Sequence, residues 1–212
     1  GDIRASGSLL GKKNVNASGR RVDISGAQVA AGRTALAARE GGVALRQSTV
    51  DSGELAVSTK GNVDAQQAKV KAGRWAVDAD NLFNQQATWS QTGDGESRFT
   101  LAGALDNSDG TIDTQSLRLS AGQLVNQRGR LVALGETAQH WRVGGLLDNG
   151  GGTMGSNGAL RLDAGRLDNQ RGTIKTQAGL TLHADGAVNN AGGNLLAGNG
   201  LALEAGSDLN NP

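Results

Sequence analysis

The chain repeats itself about every twenty residues, and this constrains its fold more than any other feature of the sequence. Residues 166–206, RLDNQRGTIKTQAGLTLHADGAVNNAGGNLLAGNGLALEAG, give nearly the same pattern twice. A Leu/Val-x-Asn triplet marks each unit and ends at Asn107, Asn126, Asn149, Asn169, Asn190 and Asn211. Within a unit, apolar and polar residues alternate over about five positions, which predicts short strands and is too brief and glycine-rich for helices.

The first third of the chain repeats with the same period but a different pattern. Valines recur at Val29, Val50 and Val70, and glycines keep the same register at Gly32, Gly53 and Gly73. We therefore divide the sequence into a first repeat subfamily, residues 1–84, and a second, residues 103–212. Residues 85–102 fit neither pattern, and we predict an irregular junction there that bulges out or covers a seam, with Trp89 filling an apolar gap.

A twenty-residue unit cannot bury its apolar face alone, but stacked units can, because each strand pairs with its copy in the next coil. The sequence thus predicts an all-β fold, a right-handed parallel β-helix of roughly ten coils forming one continuous shaft. A leucine-rich repeat is the rival solenoid, but its pattern is missing. The predicted buried columns are Leu105, Leu124, Leu147, Leu167, Val188 and Leu209 on one face and Leu119, Val143, Leu162, Leu182 and Leu203 on another. Trp75 and Trp141 take strand positions that are apolar elsewhere, so we expect them in the core.

The asparagine column has its own explanation. Asparagine tolerates the left-handed conformation that turns require, and stacked amides can hydrogen-bond from coil to coil. We therefore expect each of these asparagines to occupy the same turn of its coil.

Composition excludes several classes of function. The 212 residues have a net charge of +1 and no cysteine, so we expect no pull toward nucleic acid, no disulfide and no thiolate metal site. No apolar run is long enough to span a membrane, and no cofactor motif is recognisable. Asp148 and Asp168 fall in one column and could hold a cation, but solvated turn residues are the simpler interpretation.

No catalytic constellation is recognisable, so we predict that the chain is not an enzyme. A polysaccharide-degrading β-helix remains an alternative because such enzymes share the fold, but they need long loops around a cleft. The short turns of this chain argue against it.

Charged residues on the outer side of the Leu-x-Leu strands are the candidate site. Counting along the repeat predicts that Arg118, Arg142 and Arg161 form one outward column, which could contact an anionic glycan. The alternative is a solvated sheet face with acids nearby. A second outward column is predicted as Ser120, Gly144, Asp163, His183 and Glu204. Between Asp163 and Glu204, the pKa of His183 should be raised.

The units GALDNSDGTIDTQSLRLSAG, GLLDNGGGTMGSNGALRLDAG, GRLDNQRGTIKTQAGLTLHADG and AVNNAGGNLLAGNGLALEAG resemble the repeats of filamentous haemagglutinin-like exoproteins. These are large bacterial proteins of two-partner secretion systems, either adhesins or contact-dependent growth inhibition effectors. The resemblance is strong over residues 103–211 and looser over 22–84. It implies a fragment from the shaft of a secreted protein displayed on the bacterial cell surface, with adhesion or target-cell contact as the purpose of the whole.

The resemblance also implies partners. An outer-membrane secretion partner would recognise an N-terminal domain that is missing from this fragment, and the whole protein would contact glycans or proteins of a host or target cell. Whether the parent is an adhesin or a growth-inhibition effector is left open, because the regions that distinguish them are not in this sequence.

Overall fold

The computed structural model describes all residues, 1–212, and contains strands and turns but no helix. No segment could therefore cross a membrane as a helix. The strands of the first half are β1 (Ile3–Arg4), β2 (Ser8–Gly19), β3 (Val22–Asp23), β4 (Gln28–Ala38), β5 (Val43–Ala44), β6 (Thr49–Thr59), β7 (Val63–Asp64), β8 (Lys69–Ala79), β9 (Leu82–Phe83), β10 (Thr88–Gln91), β11 (Glu96–Leu101) and β12 (Ala104–Asp106). Those of the second half are β13 (Thr111–Thr114), β14 (Ser116–Ala121), β15 (Gln123–Val125), β16 (Arg130–Ala133), β17 (Gln139–Asp148), β18 (Thr153–Ser156), β19 (Leu160–Asp168), β20 (Thr173–Thr176), β21 (Leu180–Ala184), β22 (Val188–Asn189), β23 (Asn194–Ala197), β24 (Leu201–Ala205) and β25 (Leu209–Asn210).

Every strand pairs in parallel with its counterpart one coil away. In β17 and β19, for example, Leu147 is opposite Leu167 and Trp141 is opposite Leu162. All strands belong to one sheet that winds round the axis. The structure is therefore a parallel β-solenoid of about ten coils with about twenty residues in each, as the repeat predicted.

One continuous core runs along the axis, and the first predicted column is confirmed except at Leu209, which stacks on Val188 in the last coil and is 53% exposed. Leu105, Leu124, Leu147, Leu167 and Val188 stack in register and are at most 3% exposed. The second predicted column is wrong at one coil, where Trp141 and not Val143 stands between Leu119 and Leu162. A shift of two residues preserves the alternation of inward and outward side chains, so the apolar pattern could not reveal the error.

The asparagines lie at the predicted turn, but their role in it differs from the prediction. The left-handed residues come two positions later, such as Arg128 after Asn126 and Arg171 after Asn169, with φ of 54° and 57°. In each turn the next residue closes a four-residue loop, as when the Gly129 N–H donates to the Asn126 carbonyl at 3.0 Å. The asparagine side chains point inward instead and form an amide ladder.

In the amide ladder, each Nδ2 donates to the Oδ1 of the next coil at 2.6–2.8 Å. Its members are Asn84, Asn107, Asn126, Asn149, Asn169, Asn190 and Asn211. All except the last are at most 3% exposed. The ladder satisfies polar groups that would otherwise be buried without partners, and it ties each coil to the next.

Residues 85–102 form a regular coil, which corrects the prediction of an irregular, bulging junction. Strand β10 pairs with β8 and β13, and β11 pairs with β8 and β14. Trp89 and Phe99 are fully buried and pack against Trp75 with ring centroids 5.3–5.9 Å apart. The segment looked irregular in sequence because large aromatics occupy core positions that Val, Ile or Leu fill in the other coils.

The two repeat types differ in what fills the turn. In the earlier coils the position equivalent to the ladder asparagine holds the apolar residues Ile24, Leu45 and Ala65, and all three are fully buried. The ladder starts at Asn84, whose Oδ1 is buried with no hydrogen-bond partner because Ala65 offers no donor. The boundary between the types is thus a change in turn chemistry inside an uninterrupted solenoid.

Candidate interaction surface

The outer sides of β11, β14, β17, β19, β21 and β24 form one charged face of the shaft. Its two outward columns are Arg98, Arg118, His140, Arg161, Thr181 and Ala202, and Thr100, Ser120, Arg142, Asp163, His183 and Glu204. The predicted single column of Arg118, Arg142 and Arg161 is therefore wrong. His140 lies between Arg118 and Arg161, and Arg142 takes the place expected for Gly144 in the neighbouring column.

The misplacement of Arg142 has the same origin as that of Val143. The coil holding β17 carries extra residues at two corners, at residues 134–138 and at Gly144–Gly145, where the pairing with β19 shifts register. Counting from the asparagine therefore does not locate the strand within the coil.

Two of the three arginines are already paired with acids. Arg118 Nε contacts Glu96 Oε1 at 3.0 Å, and the Arg161 guanidinium contacts Asp163 at 3.0 Å. Such exposed pairs add little stability, but each neutralises a positive charge that an anionic ligand would need. Arg98 and Arg142 have no carboxylate partner within ion-pair distance.

His140 bridges the two columns. Its Nε2 is 2.5 Å from Asp163 Oδ2, and its Nδ1 is 3.1 Å from an Arg142 guanidinium nitrogen. A guanidinium can only donate, so Nδ1 accepts from Arg142 in this arrangement and Nε2 donates to Asp163. Partial burial raises the pKa of Asp163, but hydrogen bonds from Arg161 and His140 outweigh it and hold that pKa below its ordinary value.

His183 lies in the opposite environment, between two carboxylates. Its Nδ1 is 3.1 Å from Glu204 Oε2 and its Nε2 is 3.2 Å from Asp185 Oδ1, so only the imidazolium can donate to both. The hydrogen bond to Glu204 is the main reason that the pKa of His183 is raised, and the bond to Asp185 adds to it. The predicted direction is confirmed, but Asp163 is not the second partner because Arg161 and His140 occupy its carboxylate.

A shallow groove of about 180 Å³ lies on this face between Glu96, Arg118 and Arg142. Contact of Arg118, Arg142 and Arg161 with an anionic glycan stays a prediction. The structure adds Arg98, which precedes Arg118 in the same column. The alternating sequence around Arg98 could have predicted this position, but Arg98 lay in the segment that we interpreted as irregular.

The face and its turns contain no group of three or more His, Cys, Asp or Glu side chains that could hold a metal ion. Asp148 and Asp168 do stack in adjacent coils. Each accepts the backbone N–H two residues later, from Gly150 at 2.9 Å and from Gln170 at 3.0 Å. These carboxylates therefore cap turns, as the simpler interpretation of the sequence held.

Comparison with known proteins agrees with this architecture. The family model described as the haemagglutinin repeat matches residues 1–67, 117–192 and 177–211, which together span about three-quarters of the chain. Searches of curated proteins and of solved structures gave no significant match.

Proposed function

Because the chain belongs to the haemagglutinin repeat family, we propose that it is a shaft segment of a secreted, cell-surface filamentous exoprotein that presents adhesive or toxin regions to target cells. Repeats of this family are structural repeats of adhesins and not enzymes. The proposal covers the purpose of the whole protein, of which this chain supplies length and stiffness.

The observation that carries the proposal is unbroken coil-to-coil pairing from β1 to β25. Ten coils at about 4.8 Å each give a rod on the order of 50 Å long. Bending it sharply would break parallel strand pairs, the core and the amide ladder together. Such a rod can hold another region at a defined distance from a surface.

The solenoid architecture is also suited to folding after export. Coil-on-coil pairing lets each folded coil act as the template for the next, which needs neither ATP nor disulfide formation. An outer-membrane secretion partner that releases the chain progressively would suit this mode of folding. The proposal therefore includes export of the chain through such an outer-membrane partner.

Surface display can be tested with antibodies raised against the 212-residue chain. We expect them to label intact cells of the source bacterium, and we expect external protease to remove the label. Labelling that requires permeabilised cells would contradict the proposal.

The spacer role can be tested by changing the length of the shaft in phase and out of phase. Deleting residues 124–166 joins Gln123 to Leu167 and removes two whole coils, because Leu124, Leu147 and Leu167 share a register. We expect target-cell contact by the parent protein to survive with a shorter shaft. The matched control, deletion of 124–156, joins the coils out of register and should abolish it. Equal loss in both variants would mean that these coils do more than provide length.

A further inference from the structure

The net charge of +1 conceals a division of charge along the shaft. The first four coils, residues 1–81, carry twelve Lys and Arg against eight Asp and Glu, a net charge of +4. Residues 82–212 carry nine against twelve, a net charge of −3, and the two parts sum to +1. The first four coils therefore attract a polyanion more strongly than the rest of the shaft does.

Within these coils, positive side chains stack along one corner of the shaft. Gly19, Ala38 and Thr59 are in register on successive coils, and the next residues are Arg20, Arg39 and Lys60. Together with Arg21 they form what we call the basic corner, and all four are exposed. Only Arg20 has an acid partner, Asp2, at 3.2 Å.

A like-charge stack is unfavourable for the fold. Equivalent residues on paired strands lie about 4.8 Å apart, and like charges at such positions are destabilising. On the charged face two arginines are neutralised, since Arg118 and Arg161 each contact an acid. The acids near Arg39 and Lys60 are Glu40 and, one coil beyond Lys60, Asp80, and neither of them contacts Arg39 or Lys60 within ion-pair distance. The repulsion within this stack would be relieved by a bound anionic ligand, which favours a binding role.

An open groove of about 440 Å³ adjoins the basic corner and extends over four coils. Its floor includes the backbone of Gly42 and Gly61, and the stem of Arg21 lies over the adjacent Gly41. A Cβ on Gly42 would lie 2.4 Å from the carbonyl oxygen of Asn62, so a side chain could not cover this floor without displacing the coil beside it.

The polar side chains of the groove can bind both anions and hydroxyl groups. Arg4 and Arg21 line it and contact no carboxylate within ion-pair distance. Its acids are occupied: Asp2 pairs with Arg20, Asp64 with Arg46, and Asp23 accepts the Ser25 N–H at 3.0 Å. These carboxylates still have free lone pairs, which can accept hydrogen bonds from hydroxyl groups.

We propose that the basic corner and its groove bind a linear polysaccharide that carries a carboxylate on each sugar, a polyuronate. A sugar ring in an extended chain is about as long as the rise from coil to coil, so successive carboxylates can meet successive cations. The hydroxyl groups of the sugars can bond to the carboxylates, to Asn62 and to the glycine backbone. DNA matches less well, because its sugar–phosphate backbone offers no hydroxyl groups to the three groove carboxylates. The site is separate from the shaft role, and either can fail alone.

The test measures binding of polygalacturonate to the 212-residue chain at low salt. The corner variant is Arg21→Gln, Arg39→Gln, Lys60→Gln, which keeps the side-chain stems, including that of Arg21 over Gly41. The matched control is Arg166→Gln, Arg171→Gln, Lys175→Gln, which removes the same three charges from exposed positions on the later coils and keeps the stem of Arg166 over Gly186. Circular dichroism establishes that both variants remain folded.

We expect the corner variant to lose affinity by about tenfold or more and the control to change by less than about twofold, since tenfold corresponds to about 1.4 kcal/mol. Binding should weaken as salt rises and should be lost with methyl-esterified polygalacturonate, in which the carboxylates are blocked. Undiminished binding by the corner variant, loss in the control variant alone, or equal binding of the esterified polymer would overturn the proposal. Tighter binding of single-stranded oligothymidylate than of polygalacturonate would assign the corner to nucleic acid instead.

Discussion

Asn126 Nδ2 donates to the Oδ1 of Asn149 at 2.7 Å, although 23 residues separate them in the chain. The same amide nitrogen lies 3.3 Å from the Gly129 carbonyl and 3.2 Å from that of Thr153. One buried side chain thus closes its own turn and attaches the next coil.

Replacing Asn126 with Ala should therefore be strongly destabilising. The change leaves the buried Asn149 Oδ1 without its donor and takes the Oδ1 acceptor from Asn107 Nδ2, so we expect a loss of about 2–4 kcal/mol in the free energy of unfolding. Denaturant unfolding measures it. Asn199→Ala is the control, because Asn199 is exposed, and should change stability by less than about 0.5 kcal/mol.

The first member of the amide ladder should tolerate substitution better than an interior one. Asn84→Leu breaks one ladder bond and also removes an Oδ1 that has no partner, whereas Asn126→Leu breaks two bonds. We expect the Asn84 variant to lose about 1 kcal/mol or less, and the Asn126 variant clearly more. Equal losses would show that Asn84 Oδ1 does have a partner, such as an internal water.

The glycine three residues after each ladder asparagine from Asn107 to Asn190 should be irreplaceable. A Cβ on Gly129 would lie 2.2 Å from the Asn107 carbonyl oxygen and 2.7 Å from Asn126 Oδ1. We expect Gly129→Ala to destabilise the chain by about 3 kcal/mol or more, because backbone of the adjacent coil would have to move. Thermal unfolding compares it with Gly200→Ala, where no atom lies within 4 Å of the added Cβ.

His183 should make the stability of the last coils slightly pH-dependent, because it pairs with Glu204 on the next coil. Its pKa in the folded chain is raised above the ordinary value of 6.5. The stabilisation is therefore fully present below the unfolded pKa and is lost as pH rises through the folded one. An NMR titration of the ring should show a lower midpoint in Glu204→Gln, with a smaller decrease in Asp185→Asn. Asp163→Asn should leave it almost unchanged, and a larger effect there than in Glu204→Gln would contradict the observed pairing.

Much of the fold was readable from the sequence because the repeat is periodic. Leucine or valine before each asparagine located the buried column from Leu105 to Val188, and the asparagine spacing placed one turn in every coil. Parallel stacking follows, since identical short strands joined by short turns can bury their apolar sides only on one another. The identity of the turn residues also located the change of repeat type near Asn84.

The tertiary structure alone decided which side chains meet. A corner of variable length precedes β17 and another lies within it at Gly144–Gly145, so only pairing with β14 and β19 determined that His140, not Arg142, stands between Arg118 and Arg161. A slip of two residues costs nothing in the apolar pattern, so sequence periodicity cannot detect it. The sequence also could not predict the aromatic cluster of Trp75, Trp89 and Phe99. Side chains from adjacent coils fill one shared core volume, so which rings meet depends on the register between coils. Charge pairing across coils likewise depends on register, and this is why the sequence identified the arginines but could not show which of them lack an acid partner.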